Sequence, residues 1–574
     1  MANIAGRLLR TARTLRHLRP KQAFFFLWRR GVGARAAPQP PAAPTRRRSA
    51  PPPFFAESVT APIAANYRFE FLNDVRSFPI DAMDWCPASV SRLWRYNLHY
   101  FDFLEEPTRS LAEKNRLIDD WIAHNPPGSE PAWEPYTASL RIVNWCKFFW
   151  SLPAGQTVDP AWLRSLHQQA GWLERNLEHH ILANHLFENL KALLFAAVFF
   201  DDAAAQLWLR LGNRLLLAEL REQILEDGGH YERSPQYHSI ILCDCLDLQL
   251  LAMAAPALFT ADLTATLQAT ITAAQAWLDR IATPDDSIPL FNDSAEGAAP
   301  RPSAIRTRSL AQNPAIASAS RSEHLLNLPA TGLFGWRAQS DYFLIDCGAI
   351  GPAYQPGHTH CDFLSYVLMS DGQWIIVDTG VSQYEPGSMR QHVRSTRAHN
   401  TIAVDEQEQS EIWGEFRVGR RASRLLAHID NTADEVHFAG SFQGFHSVGD
   451  IVHRRDAQLS LRPDATIGQL AITDTVAGTG AHRLCSRLHL HPQLRVELAD
   501  QSTARLYRED RLVAVVKNGN SGQMRLADGW YCPQFGKAIA TSVIEVTVSG
   551  SLPATLGYRI ELPRAVQIAA APVS

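Results

Sequence analysis

From about residue 90 to 285 the apolar positions recur with a helical period, in segments near 110–124, 138–152, 158–178, 182–200, 205–226, 236–255 and 260–281. Turn-forming runs such as "NPPGSEP" and "EDGG" punctuate the joints. The run "LKALLFAAVFF" (190–200) is apolar on every side, which predicts a helix buried among others. From about 330 the period changes to two. "SDYFLIDCG", "DFLSYVLMSDGQWIIVDTG", "HNTIAVD", "EVHFAGSF", "DIVHRRDAQLSL", "IGQLAITDTVAG" and "SVIEVTVSG" alternate apolar and polar residues between Gly, Asp and Asn turns. That alternation predicts antiparallel strands, arranged as a sandwich. Residues 286–330, with "PLFNDSAEGAAPRP", read as the hinge between the halves. The resulting division is a leader over 1–55, a helical domain over 56–315 and an antiparallel β domain over 316–574.

Length and composition agree with that division. A chain of 574 residues is too long for one core, and 46% hydrophobic with 20% charged residues is the composition of a soluble globular protein. No apolar run reaches the roughly 18 residues that a membrane-spanning helix needs. The eight cysteines form no C-x-x-C pair, so buried thiols are expected rather than a disulfide framework.

Charge changes the picture at one end. Residues 1–56 hold eleven Arg, one Lys and no acid, which leaves 43 basic against 58 acidic residues elsewhere. Arg7, Arg10, Arg13, Arg16 and Arg19 recur every third residue with Leu8, Leu9, Leu15 and Leu18 between them. This suits a basic amphipathic helix making peripheral contact with an anionic membrane or an acidic partner, and equally a solvated tail. "RAAPQPPAAPTRRRSAPPPFF" (35–55) reads as a linker. "FFFLW" (24–28), followed by Arg29 and Arg30, is too short for a secretory signal core.

Three polar clusters carry candidate chemistry. "ANHLFENLKALL" sets Asn184, His185, Glu188 and Asn189 on neighbouring stripes at one helix end. Capping accounts for part of this, with Asn184 as a fair N-cap and Glu188 as a first-turn acid, but the cluster is denser in polar groups than a cap requires. "EDGGHYERSPQYHSIIL" places His230, Tyr231, Glu232, Arg233, Tyr237 and His238 on a turn leading into a helix. A Tyr there can simply pack; beside cations that lower its pKa it can act as general acid or base. Arg141, with Tyr136 and Trp133, would add a cation and aromatic surface suited to sugar acids.

The third cluster lies in the β half. Gly357-His358-Thr359-His360-Cys361-Asp362 opens a β-like run, and residues two apart on a strand share a face, so His358 and His360 can share one site. Asp378 in "WIIVDTG" and His399 in "RSTRAHNT" sit where neighbouring strands can bring them in. Imidazole and carboxylate together suit Zn²⁺, in a shell of about four ligands counting water. The bland alternative is that these residues only hydrogen-bond strands together. Arg394, Arg397, Trp413 and Arg417 either line a cleft for an acidic glycan or lie on the surface.

"NHLFENLKALLFA", "DGGHYERSPQYH", "FNDS", "YQPGHTHCDFLSY", "IIVDTGVSQYEPG", "RSTRAHNTIAVD" and "SEIWGEFRVGRR" together resemble the heparinase II/III-like family of polysaccharide lyases, in the same order and over roughly residues 60–560. The resemblance implies an incomplete (α/α) toroid packed on an antiparallel β-sandwich, and β-elimination on a uronic-acid-containing polysaccharide. By resemblance, Asn184, with His185, would neutralise the uronate carboxylate, while Tyr237 and His358 would flank the C5–H and C4–O bonds. Arg141, Glu188, Arg233 and Arg397 would contact substrate. His360, Asp378 and His399 would hold a structural Zn²⁺. The implied partner is an acidic polysaccharide and not a nucleic acid, and the implied setting is the cell envelope or periplasm. The basic leader and the lack of a clear signal peptide suit a membrane surface or the cell interior instead.

Two other functions fit the same pattern. A glycoside hydrolase on a similar toroid needs an acid pair, for which Glu188 with Glu232 or Asp293 are the candidates. A non-catalytic glycan-binding or envelope-assembly protein would keep the architecture without turnover.

Overall fold

The computed structural model describes residues 2–47, 54, 66–153, 155–318, 324–519 and 522–563. Seven helices match the helical segments closely: Leu111–His124, Pro135–Trp150, Pro160–Arg175, Ala183–Phe199, Ala203–Gln223, Pro235–Ala254 and Ala261–Ile281. Their starts are chemically marked. Ser110, Asp159, Asp202, Ser234 and Thr260 each accept a hydrogen bond from a first-turn N–H. Helices Arg92–Tyr100 and Pro302–Gln312 precede and follow this set, the second inside the stretch read as hinge. In Ala183–Phe199 every residue but His185 is buried, as an all-round apolar helix requires. Pro235–Ala254 is long and apolar enough to cross a membrane, but 67% of that window is buried inside the fold.

The β half forms an eight-stranded, a four-stranded and a five-stranded antiparallel sheet. In the eight-stranded sheet, Ile451–Leu461 and Ile467–Ala477 pair so that Arg455 lies opposite Asp474. The five-stranded sheet joins the two halves. Along Asp341–Asp346, Tyr342 and Leu344 pack into the helical core while Phe343 and Ile345 pack into the sandwich core. Along Tyr366–Ser370, Val367 and Met369 face the helices, and Tyr366 and Leu368 the sandwich. A period of two thus divides one sheet between two cores, so the junction is a shared layer. The architecture is an incomplete (α/α) toroid followed by an antiparallel β-sandwich.

The leader departs from a solvated tail. Ala2–Leu15 and Pro20–Val32 are helices. Arg13 meets Glu411 of the β half, and Gln22 donates to the carbonyls of Ile181 and Tyr354. Further on, the Arg47 guanidinium donates to the carbonyls of Val198 and Phe200, where the last carbonyls of the helix Ala183–Phe199 need partners. Of the linker read over 35–55, residues 48–53 and 55 lie outside the described residues. All eight cysteines are unpaired; six are buried, Cys243 is half-buried and Cys86 is exposed.

Candidate active site

The "ANHLFEN" helix starts under strain. Leu182 and Ala183 adopt φ of 67° and 53° without being glycine, a conformation that tertiary contacts must hold in place. Leu182, not Asn184, occupies the N-cap position, and it supplies no capping side chain. The Asn184 amide is therefore free for another use. Its Nδ2 donates to Glu232 Oε2 at 2.9 Å and Oε1 at 3.0 Å, and lies 3.5 Å from His358 Nε2.

Tyr237 reaches the same place from the next cluster. Ser234 caps its helix by accepting from the Tyr237 N–H at 3.3 Å, and Pro235 fills the first position. The Tyr237 ring then stacks on the His358 imidazole with centroids 3.8 Å apart, and its hydroxyl is 3.1 Å from that of Tyr384. The third member arrives on a loop. His358 and His360 lie before the strand Tyr366–Ser370, not on one, and they meet through a shared acid rather than a shared sheet face.

That acid is Asp293. Oδ2 sits 3.0 Å from His358 Nδ1 and Oδ1 2.9 Å from His360 Nε2, while Arg390 closes on both oxygens, with Nη2 at 2.8 Å. Burial by itself would raise this carboxyl. Arg390 and the two imidazoles instead hold it well below the ordinary range, so it stays ionised. The neighbouring loop is tied equally tightly: Asn292 accepts from the His360 N–H, donates to the Arg233 carbonyl and sends its own N–H to Asp362. "FNDS" thus binds the tyrosine turn to the histidine loop. Sequence reasoning weighed Asp293 only as one of a hydrolase acid pair and did not single out Arg390 or Tyr384. The signal available was F-N-D-S itself, a run of polar groups in a hinge between two apolar halves.

The electrostatics divide the roles. Burial, reinforced by Asp293 and Glu232, pushes the Tyr237 phenol well above its usual value, against the opposing pull of Tyr384 and Arg390. Tyr237 is thus a neutral proton donor here. His358 spends Nδ1 on Asp293, which leaves Nε2 facing Asn184. Burial also raises the Glu232 carboxyl, although His358 and Asn184 oppose it. His185 stands at the rim, its ring 4.5 Å from that of Tyr136. Burial disfavours its charged form, but Glu178, 3.1 Å from Nδ1, outweighs this and raises its pKa.

Three expected substrate contacts are corrected. Arg141 is fully buried, donating to Gln169 and to the carbonyls of His99 and Ala132 with its guanidinium 4.0 Å over Trp121; it holds the toroid together. Arg233 ties the carbonyls of Ala330, Thr331 and Gly351 to the tyrosine turn, so it is a strut between the halves. Glu188 is buried beside Lys191 and Asp244 in a closed charge network. Arg397 is exposed beside His392. Arg394 is buried against the carbonyls of Thr359, Gly414 and Arg417, whereas Arg417 is exposed over Trp413.

His360, Asp378 and His399 share one buried region. Asp378 Oδ2 sits 2.9 Å from His399 Nδ1, and the two imidazole centroids are 5.3 Å apart. His360 Nδ1 and His399 Nε2 are buried with no hydrogen-bond partner. Among the described residues no group of three or more His, Cys, Asp or Glu is arranged to hold a metal ion. Asp378 is committed to orienting His399 rather than standing as a third open ligand. Burial, aided by His399 and Arg390, outweighs the pull of Asp293 and drops His360 to about 4, leaving it neutral with a lone pair on Nδ1. Two imidazoles, each backed by a carboxylate, with two unpartnered ring nitrogens, are a donor set whose chemistry would fit a Zn²⁺ ion.

Fold and site together define a toroid-and-sandwich protein in which an amide, a phenol and an imidazole from both halves meet. The chain belongs to the heparinase II/III-like family: residues 109–310 match the model described as "Heparinase II/III N-terminus" and residues 320–566 the one described as "Heparinase II/III-like, C-terminal". Over 325 residues it is 26% identical to a heparin-sulfate lyase of Pedobacter heparinus, covering 50% of this chain and 47% of that protein. A heparin-sulfate lyase of Bacteroides thetaiotaomicron is 23% identical over 390 residues, covering 59% and 52%. The chain thus spans about half the length of the curated relatives it matches. Among solved structures, a crystal structure of heparinase III superposes with a TM-score of 0.68 at 17% identity, covering 84% of this chain and 79% of the other.

Proposed function

We propose that this chain is a carbon–oxygen lyase that cleaves a uronic-acid-containing acidic polysaccharide by β-elimination. The observation that carries the reading is the meeting of Asn184, Tyr237 and His358, drawn from two helices and a β-domain loop into contact at one place, where the His358 side chain keeps an exposed edge. Asn184, supported by His185 at the rim, neutralises the uronate carboxylate, which makes the adjacent C5–H acidic enough to remove. His358 Nε2 takes that proton while Asp293 holds the ring from Nδ1. The C5 electron pair forms the C4–C5 double bond, the C4–O bond breaks, and the neutral Tyr237 phenol protonates the leaving oxygen. Glu232 and Asp293 act as positioning residues.

Heparin or heparan sulfate enters as the first substrate to test, because the relatives are named for it. Incubation with a panel of acidic glycans should yield a product with new ultraviolet absorbance from the unsaturated uronate. Cleavage without that absorbance would point to hydrolysis, and tight binding without cleavage to a glycan-binding role. Hydrolysis is disfavoured because Asp293 is saturated by Arg390 and two imidazoles, and Glu188 is buried beside Lys191 and Asp244, so neither stands as the partner acid for Glu232.

We also propose that His360 and His399, with Asp378 behind His399, hold a structural Zn²⁺ that braces the loop carrying His358. Bound there, the ion would satisfy the two unpartnered ring nitrogens. Metal analysis of the purified protein, with a fall in melting temperature on chelation, tests this. A cell-envelope or periplasmic setting accords with the family, and fractionation of the source cells would decide it.

A further inference from the structure

The two N-terminal helices are docked with the usual amphipathic arrangement reversed. A surface helix normally turns its apolar stripe to the core. Here polar groups make the attachments. Arg13 meets Glu411 at 3.1 Å, the Trp413 indole donates to Thr14 Oγ1 at 3.0 Å, Arg19 meets Glu222, and Arg29 lies 3.0 Å from the His180 ring. Gln22 is the one buried residue of Pro20–Val32. The outward face is apolar, with Leu8 66%, Phe24 57%, Leu27 68% and Val32 60% exposed, and Phe24 stacked on Trp28. Eight of the eighteen large apolar side chains exposed among the described residues lie between positions 8 and 32, so this is a concentrated patch and not ordinary scatter.

Cations frame the patch. Arg30 lies 5.0 Å over the Phe26 ring and Arg35 5.6 Å over Trp28, and residues 1–56 contain no Asp or Glu. We propose that this helical pair is a docking surface for an anionic lipid bilayer. Its aromatic and leucine side chains would sit at the headgroup–acyl boundary, with the arginines against lipid phosphates. A second copy fits poorly, because two faces of uniform positive charge repel. An acidic glycan would pair with the arginines but leave Phe24, Leu27 and Trp28 in water. Gln22 fastens the pair to Ile181 and Tyr354, which precede Asn184 and His358 by three and four residues. Docking would therefore hold the cleft at the lipid surface. The inference is independent of the reaction catalysed.

The test is co-sedimentation of the full chain with phosphatidylcholine vesicles, with and without phosphatidylglycerol. Binding is expected only with the anionic lipid and should weaken as salt rises. Phe24→Glu with Leu27→Glu should lower the partition coefficient about tenfold or more. Arg7→Gln, Arg16→Gln and Arg30→Gln together should lower it about a hundredfold at low salt. Those side chains are exposed, so the melting temperature should hold. No pelleting with either vesicle, or equal pelleting of both variants, overturns the proposal. So does a concentration-dependent dimer that Phe24→Glu with Leu27→Glu dissolves, which would assign the face to a second copy.

Discussion

Among the described residues, two buried Arg–Asp–His clusters stand in different surroundings. In the eight-stranded sheet, Arg455 grips Asp474 with Nε at 2.7 Å and Nη2 at 2.8 Å, and His453 Nε2 approaches the same carboxylate at 2.8 Å. At the candidate site, Arg390 also grips Asp293 with two prongs, here Nη1 and Nη2, with two histidines in attendance. The sheet cluster is closed on every side, with all three side chains at 0% exposure. The cleft cluster opens at one edge, where the His358 side chain is 12% exposed. Similar chemistry is fully enclosed in one place and, in the proposed reaction, serves at a reacting edge in the other, where one imidazole keeps a face toward solvent. The two are also connected. Arg455 Nη1 donates to the carbonyls of Leu364 and Asn400, in the loops that carry His360 and His399.

Substitutions can break this comparison, starting where the effect is greatest. Tyr237→Phe should cut formation of unsaturated product by about 10²–10⁴-fold while the thermal melt stays unchanged. An intact rate would remove the phenol from the reaction. Next, Asp474→Asn leaves Arg455 buried without its counter-charge and should cost roughly 3–5 kcal/mol of stability by denaturant unfolding. The partner experiment is Asp293→Asn: if it too cost stability but left turnover per folded molecule untouched, both clusters would be scaffold.

Acid sharpens the contrast. Burial alone would raise Asp474, but Arg455 and His453 hold it at about 2, against an ordinary value of 3.8. A carboxyl depressed on folding contributes stability above its unfolded pKa and loses it as pH falls through the folded one. The Asp474 contribution, of order 2 kcal/mol, should therefore disappear between about pH 4 and 2. His453 adds to the loss earlier, because burial keeps it below its usual 6.5 and the unfolded chain takes up that proton first. Urea unfolding across that range should show stability falling with pH, and Asp474→Asn should flatten the lower part.

Smaller effects come from the periphery of the cleft. Glu232→Gln keeps the shape but removes the carboxyl and one of the two acceptor oxygens that fix the Asn184 amide, and should lower kcat/KM about tenfold with the fold intact. Arg397→Ala changes an exposed charge, and should raise KM no more than about threefold. A larger change there would return Arg397 to the substrate contacts.

The helices and strands were legible because each writes its period into adjacent residues, and the seven central helices fall within a few positions of the apolar segments that predicted them. The polar clusters were legible as clusters. Their orientation was not. Arg141 beside Trp133 and Tyr136 has the composition of a glycan contact, yet its neighbours in space are Gln169 and two carbonyls. His358 and His360 were expected to share a strand face, and they share Asp293 from a loop. A buried cation needs partners, but a linear sequence does not say whether these are backbone carbonyls or a substrate.

By itself, then, the sequence determined the order of a helical half and a β half, the buried helix at 183–199, and the presence of amide, phenol and imidazole groups. Backbone periodicity and local hydrophobicity are properties of neighbours along the chain. Tertiary structure alone decided that Asn184, Tyr237 and His358 meet, that Asp293 and Arg390 hold the imidazole, and that the basic leader lies with its apolar face outward. Apolar burial is non-directional and tolerates many partners, whereas a hydrogen bond or a stacked ring requires one particular group brought from far along the chain.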